Sequence, residues 1–183
     1  MPHSSNKYYF YIVIVTFFAV IIVWFIQESN NHGEGTPNID SVKQDTFAFA
    51  ENFTNLRTEL LANPDDAELN VQMANMLFDM QKYDEAIFYY RKTLSIRPEI
   101  IPAQIDLSIC YFNLQNLDTA LVEMNKALEL DPGHKKSLFN IGIMYYNTGL
   151  IDSAKNYWSQ LLELHPDSRE ADIAREIINN LTI

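Results

Sequence analysis

A second cysteine is missing. Cys110 is the only one in 183 residues, so no disulfide can form within the chain. It lies in an apolar stretch and reads as a small buried hydrophobe rather than a nucleophile. Basic residues are scarce: 13 Lys and Arg stand against 24 Asp and Glu, a net charge of −11. They form no basic patch, which excludes nucleic acid as a partner, because phosphate binding needs clustered cations. The acidic balance reads as a solvated exterior and does not suit an anionic lipid surface. There is no Gly-rich phosphate loop and no nucleophile motif. His3, His32, His134 and His165 do not pair at a metal-ligand spacing, and the last two read as exposed turn residues. Asp65 and Asp66 fall at a helix start, where capping explains them. No catalysis, metal or cofactor is expected.

What is present is unevenly placed. Tyr8 to Ile26 is a 19-residue run without a charge. As a helix it is about 28 Å long, close to the ~30 Å hydrocarbon core of a bilayer. Tyr8, Tyr9 and Tyr11 at one end and Trp24 at the other suit interfacial belts. A cleavable signal peptide fits less well, since the run is long, the charged region before it is thin and no small-x-small site comes after it. A transmembrane anchor over 8–26, after a tail of 1–7, is therefore expected. Lys7 precedes it and the next basic residue is Lys43, which puts the N-terminus in the cytoplasm and the rest of the chain outside it. Residues 27–45 hold Asn30-Asn31, Gly33, Gly35 and Pro37 and read as a flexible linker. Phe47, Phe49, Phe53, Leu56 and Leu60 then recur near helical spacing, giving a helix over 46–63 that packs on the C-terminal part of the chain and stops at Asn63-Pro64.

The rest is periodic. Prolines stand at 64, 98, 132 and 166, each 34 residues from the last. The same period governs Ala86, Ala120 and Ala154; Asp84, Asp118 and Asp152; Leu77, Tyr111 and Tyr145; and Met73, Leu107 and Ile141. Such repetition marks a repeat protein. In each unit apolar spacing outlines two amphipathic helices around a short turn, at Gln81-Lys82, Gln115-Asn116 and Thr148-Gly149. The aspartate after the turn is placed to cap the second helix. The alanine lets the two helices approach, and the proline ends the second. One hairpin cannot bury its apolar face alone, so neighbours must stack.

These units resemble tetratricopeptide repeats, running 67–100, 101–134 and 135–168 within 64–168. The third matches best, with Leu138, Ile141-Gly142, Tyr145, Ala154, Trp158, Leu161 and Pro166 at family positions. The first departs at Asn70, where the family has a large apolar residue, and at Thr93, where it has a small one. Residues 169–183 resemble the capping helix of such arrays, with Ile173, Ile177 and Leu181 on one side. The resemblance implies an all-α solenoid of three helix-turn-helix repeats with a capping helix, preceded here by one transmembrane helix. It also implies a protein-binding role without naming a partner.

The family's concave face maps here onto Val71, Gln72, Asn75, Phe78 and Asp79; Ile105, Asp106, Ile109, Phe112 and Asn113; and Lys136, Phe139, Asn140, Ile143, Tyr146 and Asn147. Phe78, Phe112 and Tyr146 make an aromatic column, and Asp79, Asn113 and Asn147 a polar one. Either they form a peptide groove, or the rings pack on the next repeat and the amides face water. The layout implies an anchored scaffold or assembly factor, most naturally in a bacterial inner membrane with its repeats in the periplasm, as in accessory factors of cytochrome c maturation. A cytosol-facing receptor or co-chaperone and a subunit of a larger membrane complex are the alternatives.

Chaperone-binding members of the family clamp a C-terminal carboxylate with Lys, Arg and Asn. The matching positions here are Val71, Asn75, Asp106, Lys136 and Asn140, of which only Asn75 and Lys136 fit, and Asp106 repels a carboxylate. A chaperone-tail peptide is therefore expected not to engage this face. Micromolar binding in calorimetry that Asn75→Ala abolishes would overturn the expectation.

Overall fold

The structure, a computed structural model, describes residues 39–181. The chain divides into two units, Met1–Ala50 and Glu51–Ile183. The anchor expected over 8–26, the tail before it and most of the linker lie outside the described residues. Among the described residues no helix is long and apolar enough to cross a membrane.

The helices are α1 (Ile39–Ala62), α2 (Ala67–Asp79), α3 (Tyr83–Ile96), α4 (Ile101–Asn113), α5 (Leu117–Leu130), α6 (Lys135–Asn147), α7 (Ile151–Leu164) and α8 (Arg169–Asn180). α1 begins inside the stretch expected to be linker, ahead of the helix expected from residue 46. The breakers Gly33, Gly35 and Pro37 all precede Ile39, and none occurs from there to Ala62, so nothing stops the helix from extending backwards. Leu56 and Leu60 are buried and Phe53 half-buried against the repeats, while Phe47 and Phe49 are exposed.

α2 with α3, α4 with α5 and α6 with α7 form three hairpins, each packed on the next. Each hairpin turns in the same way. In the first, Gln81 N–H bonds to Phe78 O at 2.8 Å and Lys82 N–H to Leu77 O at 2.9 Å, the paired bonds that close a helix around a left-handed residue. That residue is Gln81, Gln115 or Gly149, with φ of 59°, 60° and 79°. The turn is so short that the next residue is already the N-cap of the second helix. Asp84, Asp118 and Asp152 are therefore not caps, as the sequence suggested. They lie inside the first turn, where they favour the helix dipole, and of the N-caps Lys82, Asn116 and Leu150 only Asn116 bonds through its side chain, to Thr119 N–H at 3.3 Å. Asp66 does cap α2, accepting from Glu68 and Leu69 N–H at 2.8 and 3.1 Å.

At the other end, the residues before Pro98, Pro132 and Pro166 leave the helix with ψ of 83°, 97° and 56°, as proline demands of its predecessor. The histidines here are structural rather than exposed. His134 caps α6 by accepting from Ser137 N–H at 3.4 Å, and His165 Nε2 meets Gly133 O at 2.6 Å, tying one turn to that of the repeat before.

Ala86, Ala120 and Ala154 are all fully buried, as are Cys110 and Trp158. Gly142 is required where it stands, because a Cβ there would run into the Trp158 indole, whose Nε1 donates to Phe139 O at 3.2 Å. α8 closes the array differently from the expected face of Ile173, Ile177 and Leu181. It buries Ala171 and Ala174, with Ile177 and Ile178 partly covered and Ile173 outward. Two alanines one turn apart let the helix lie close over the Trp158 layer, which a bulkier row would prevent.

A left-handed backbone costs an ordinary residue about 1 kcal/mol that glycine avoids. Gln115→Gly is expected to raise stability by about 0.5–1 kcal/mol in urea denaturation, and Gly149→Ala to lower it by a similar amount. Loss of stability in Gln115→Gly would show that the side chain holds the turn.

Candidate functional site: a groove along the first helices

The first helix of each hairpin carries the sixteen positions singled out in the sequence, and the structure treats them unequally. Ile105 is only 4% exposed and belongs to the core, so it is not a surface residue. It sits among the helix contacts because α4 is more enclosed than its neighbours, with seven buried residues on thirteen. Val71, Phe78, Ile109, Phe112, Phe139 and Ile143 are half-buried, each packed on the core. Phe78 stands edge-on to Tyr83 at 5.7 Å. Tyr146 is exposed, its ring 5.8 Å from Trp158. Phe78 and Tyr146 thus pack on rings of their own hairpins rather than on the next repeat.

The polar positions stay accessible. Gln72, Asn75, Asp79, Asn113, Lys136 and Asn147 are exposed and Asn140 half-buried. Gln72 donates to Glu68 at 3.1 Å and Asn113 to Ile109 O at 2.9 Å, both within their own helices. Asp106 is half-buried. Burial, resisted by the Lys136 charge and helped by Asp79, raises its carboxyl to about 6. Asp106 thus feels charges from the hairpins on both sides of its own.

Two contributors were not foreseen. Tyr90, on the second helix α3, drives its hydroxyl between the first helices and donates to Asn75 Oδ1 at 2.8 Å. Burial first, then Asp106, Cys110 and Asp79, raise its pKa far above the usual phenol value. The same burial, with Asp106, pushes the Cys110 thiol up to about 12, which keeps it protonated and unreactive. The second contributor is α1. Asn52, Asn55, Leu56 and Glu59 face Gln72, Asn75 and Met76 across a groove of about 500 Å³. Their i, i+3, i+4, i+7 spacing, which puts them on one face of α1 beside Phe53 and Leu60, was the available signal. Among the described residues no three His, Cys, Asp or Glu come together to hold a metal.

A model of the tetratricopeptide repeat matches residues 67–100 and 101–134, and a second model of the same description matches 136–168. The chain belongs to the tetratricopeptide-repeat family. Among solved structures it is similar to the first tetratricopeptide domain of Spaghetti (RPAP3) bound to the HSP90 peptide SRMEEVD, at 27% identity and a TM-score of 0.56, covering 64% of this chain and 94% of that one. It is also similar to YrrB, described as having an unusual peptide-binding site, at 20% identity and TM-score 0.64, covering 74% and 70%. A third is MamA of Desulfovibrio magneticus RS-1, at 18% identity and TM-score 0.62, covering 69% and 71%. No curated protein matches the sequence.

The first tetratricopeptide repeat keeps its two departures inside. Asn70 and Thr93 are both fully buried, and Asn70 Oδ1 and Thr93 Oγ1 are the buried side-chain atoms without a hydrogen-bond partner among the described residues.

Tyr90→Phe is expected to cost about 1 kcal/mol in chemical denaturation, since it removes one hydrogen bond and leaves the ring in place. An unchanged midpoint would mean that water replaces the hydroxyl's contact with Asn75.

Proposed function

We propose that this protein is a membrane-anchored interaction module that holds an extended segment of a partner protein along the first helices of its repeats. The observation that carries this reading is the run of half-open rings and accessible amides from three successive hairpins, continued by the 500 Å³ groove against α1. Side-chain amides pair with an extended backbone, and rings add contact area at low entropic cost. The peptide held by Spaghetti and the peptide site of YrrB, on similar folds, support the same use. The groove differs from a carboxylate clamp in carrying Asp79 and Asp106 against Lys136 alone. The uncharged run at 8–26 supports a bilayer anchor, and Lys7 supports an extracytoplasmic array, the periplasm in a bacterium. In that position the module serves as a scaffold or assembly factor.

A photo-crosslinker at Asn113 in native membranes is expected to capture one partner. The triple variant Phe78→Ala, Phe112→Ala and Tyr146→Ala, checked for helix content, is expected to lose most of the adduct. Undiminished capture by the triple variant would move the interface to another surface. A cysteine introduced at Ser29 reports topology by labelling, because Cys110 is buried. Labelling from the cytoplasmic side alone would replace the periplasmic reading with a cytosol-facing receptor.

A further inference from the structure

Two crevices lie outside the groove and are built from equivalent positions one repeat apart. The first, of about 300 Å³, is lined by Arg57, Leu60, Leu61, Pro64, Asn70, Phe88, Tyr89 and Lys92. The second, of about 400 Å³, is lined by Arg91, Leu94, Ser95, Pro98, Gln104, Leu107, Glu123 and Lys126. Adding 34 to Arg57, Leu60, Pro64, Asn70, Tyr89 and Lys92 gives Arg91, Leu94, Pro98, Gln104, Glu123 and Lys126. α1 thus supplies to the first crevice what α3 supplies to the second. In an acidic chain, both keep the same pair of cations.

They differ in what fills them. In the second crevice the chain provides its own anion. Glu123, 7% exposed, accepts from Gln104 Nε2 at 2.6 Å and from Lys126 Nζ at 2.9 Å. In the first, Tyr89 stands in place of that glutamate and turns to Phe88, ring to ring at 5.0 Å. Asn70 spends its Nδ2 on Pro64 O and Asp66 O, and its buried Oδ1 has no donor. Arg57 makes no ion pair among the described residues. Among the described residues Lys92 pairs only with Asp65, at 3.3 Å, whose side chain is 87% exposed, a contact that water and salt weaken readily. The rim carries Leu61 and Phe88, 78% and 62% exposed.

We propose that the first crevice docks an acidic, apolar segment of a partner protein, which supplies from outside the carboxylate that Glu123 supplies to the second. A Glu or Asp side chain of the segment meets Arg57 and Lys92 in place of Asp65. An apolar side chain beside the acid covers Phe88 and Leu61. The second crevice is the internal example of the fit for one of the two cations: Lys126, at the position of Lys92, holds a carboxylate there together with Gln104, while Arg91 lies over the Tyr111 ring at 5.5 Å. The site uses a different set of α1 residues from the groove, so it stands or falls apart from the groove's function.

The test is selection of a random peptide library displayed on phage against the purified full-length chain, with counter-selection against Tyr89→Glu. That variant rebuilds the internal carboxylate and closes the crevice, and its helix content and melting temperature report that it folds. The selected peptides are expected to pair Asp or Glu with an apolar neighbour. Their affinity should fall at least about tenfold when the acid becomes an amide, in Arg57→Glu or Lys92→Glu, and in Tyr89→Glu. It should be unchanged in the groove triple variant. Glu123→Gln should open a second site of the same preference. Enrichment of basic peptides, no enrichment, or equal binding by Tyr89→Glu would overturn the proposal. Loss of binding in the groove variant alone would assign the peptides to the groove instead.

Discussion

A two-helix hairpin with one apolar face has nowhere to hide that face except against another hairpin. The rest of the structure depends on this constraint. It requires the helices of a pair to approach closely, which is why Ala86, Ala120 and Ala154 are buried without exception, and why Gly142 yields its side-chain space to Trp158. It requires a tight reversal, met by one left-handed residue per hairpin. It also requires ends. α1 covers the first hairpin with Leu56 and Leu60, and α8 covers the last with Ala171 and Ala174.

Because every hairpin stacks in the same way, equivalent residues fall into rows, and a row becomes a surface. The accessible amides and ring edges of α2, α4 and α6 form one such surface, where Asp106 feels Asp79 and Lys136 from the repeats on either side. The two crevices are a second case. There repetition makes differences informative: one position holds Glu123 in one repeat and Tyr89 in the previous one, so Lys126 meets a nearly buried carboxylate while Lys92 meets the exposed Asp65.

Much of the fold was legible in the sequence, because period and helix punctuation are local properties. Proline excludes its predecessor from the helical region whatever surrounds it, so the second helices end where Pro98, Pro132 and Pro166 dictate. Asp66 capped α2 as its position suggested. The misses are of another kind. Asp84, Asp118 and Asp152 repeat faithfully, but repetition did not say whether they stand at the cap or inside the first turn, and a shift of one or two residues decides that. α1 ran past its expected start because a polar stretch free of Gly and Pro gives no stop signal. The candidate site was legible as positions, since all sixteen lie on the first helices. Ile105 was the exception in exposure, and Tyr90 was missed because a buried residue at a core spacing can still bond through its hydroxyl to an exposed amide.

The sequence by itself determined the repeat, its length, the order of its helices and the lack of a full set of carboxylate-clamp residues, because each comes from residue type at a fixed spacing along one chain. Only the tertiary structure decided which side chains share a space. The groove between α1 and α2, the closing face of α8, the structural use of His134 and His165, and the vacant acceptor on Asn70 all arise between residues of different helices or turns. Their distances are set by how side chains of particular volume pack, and no period along the chain encodes that.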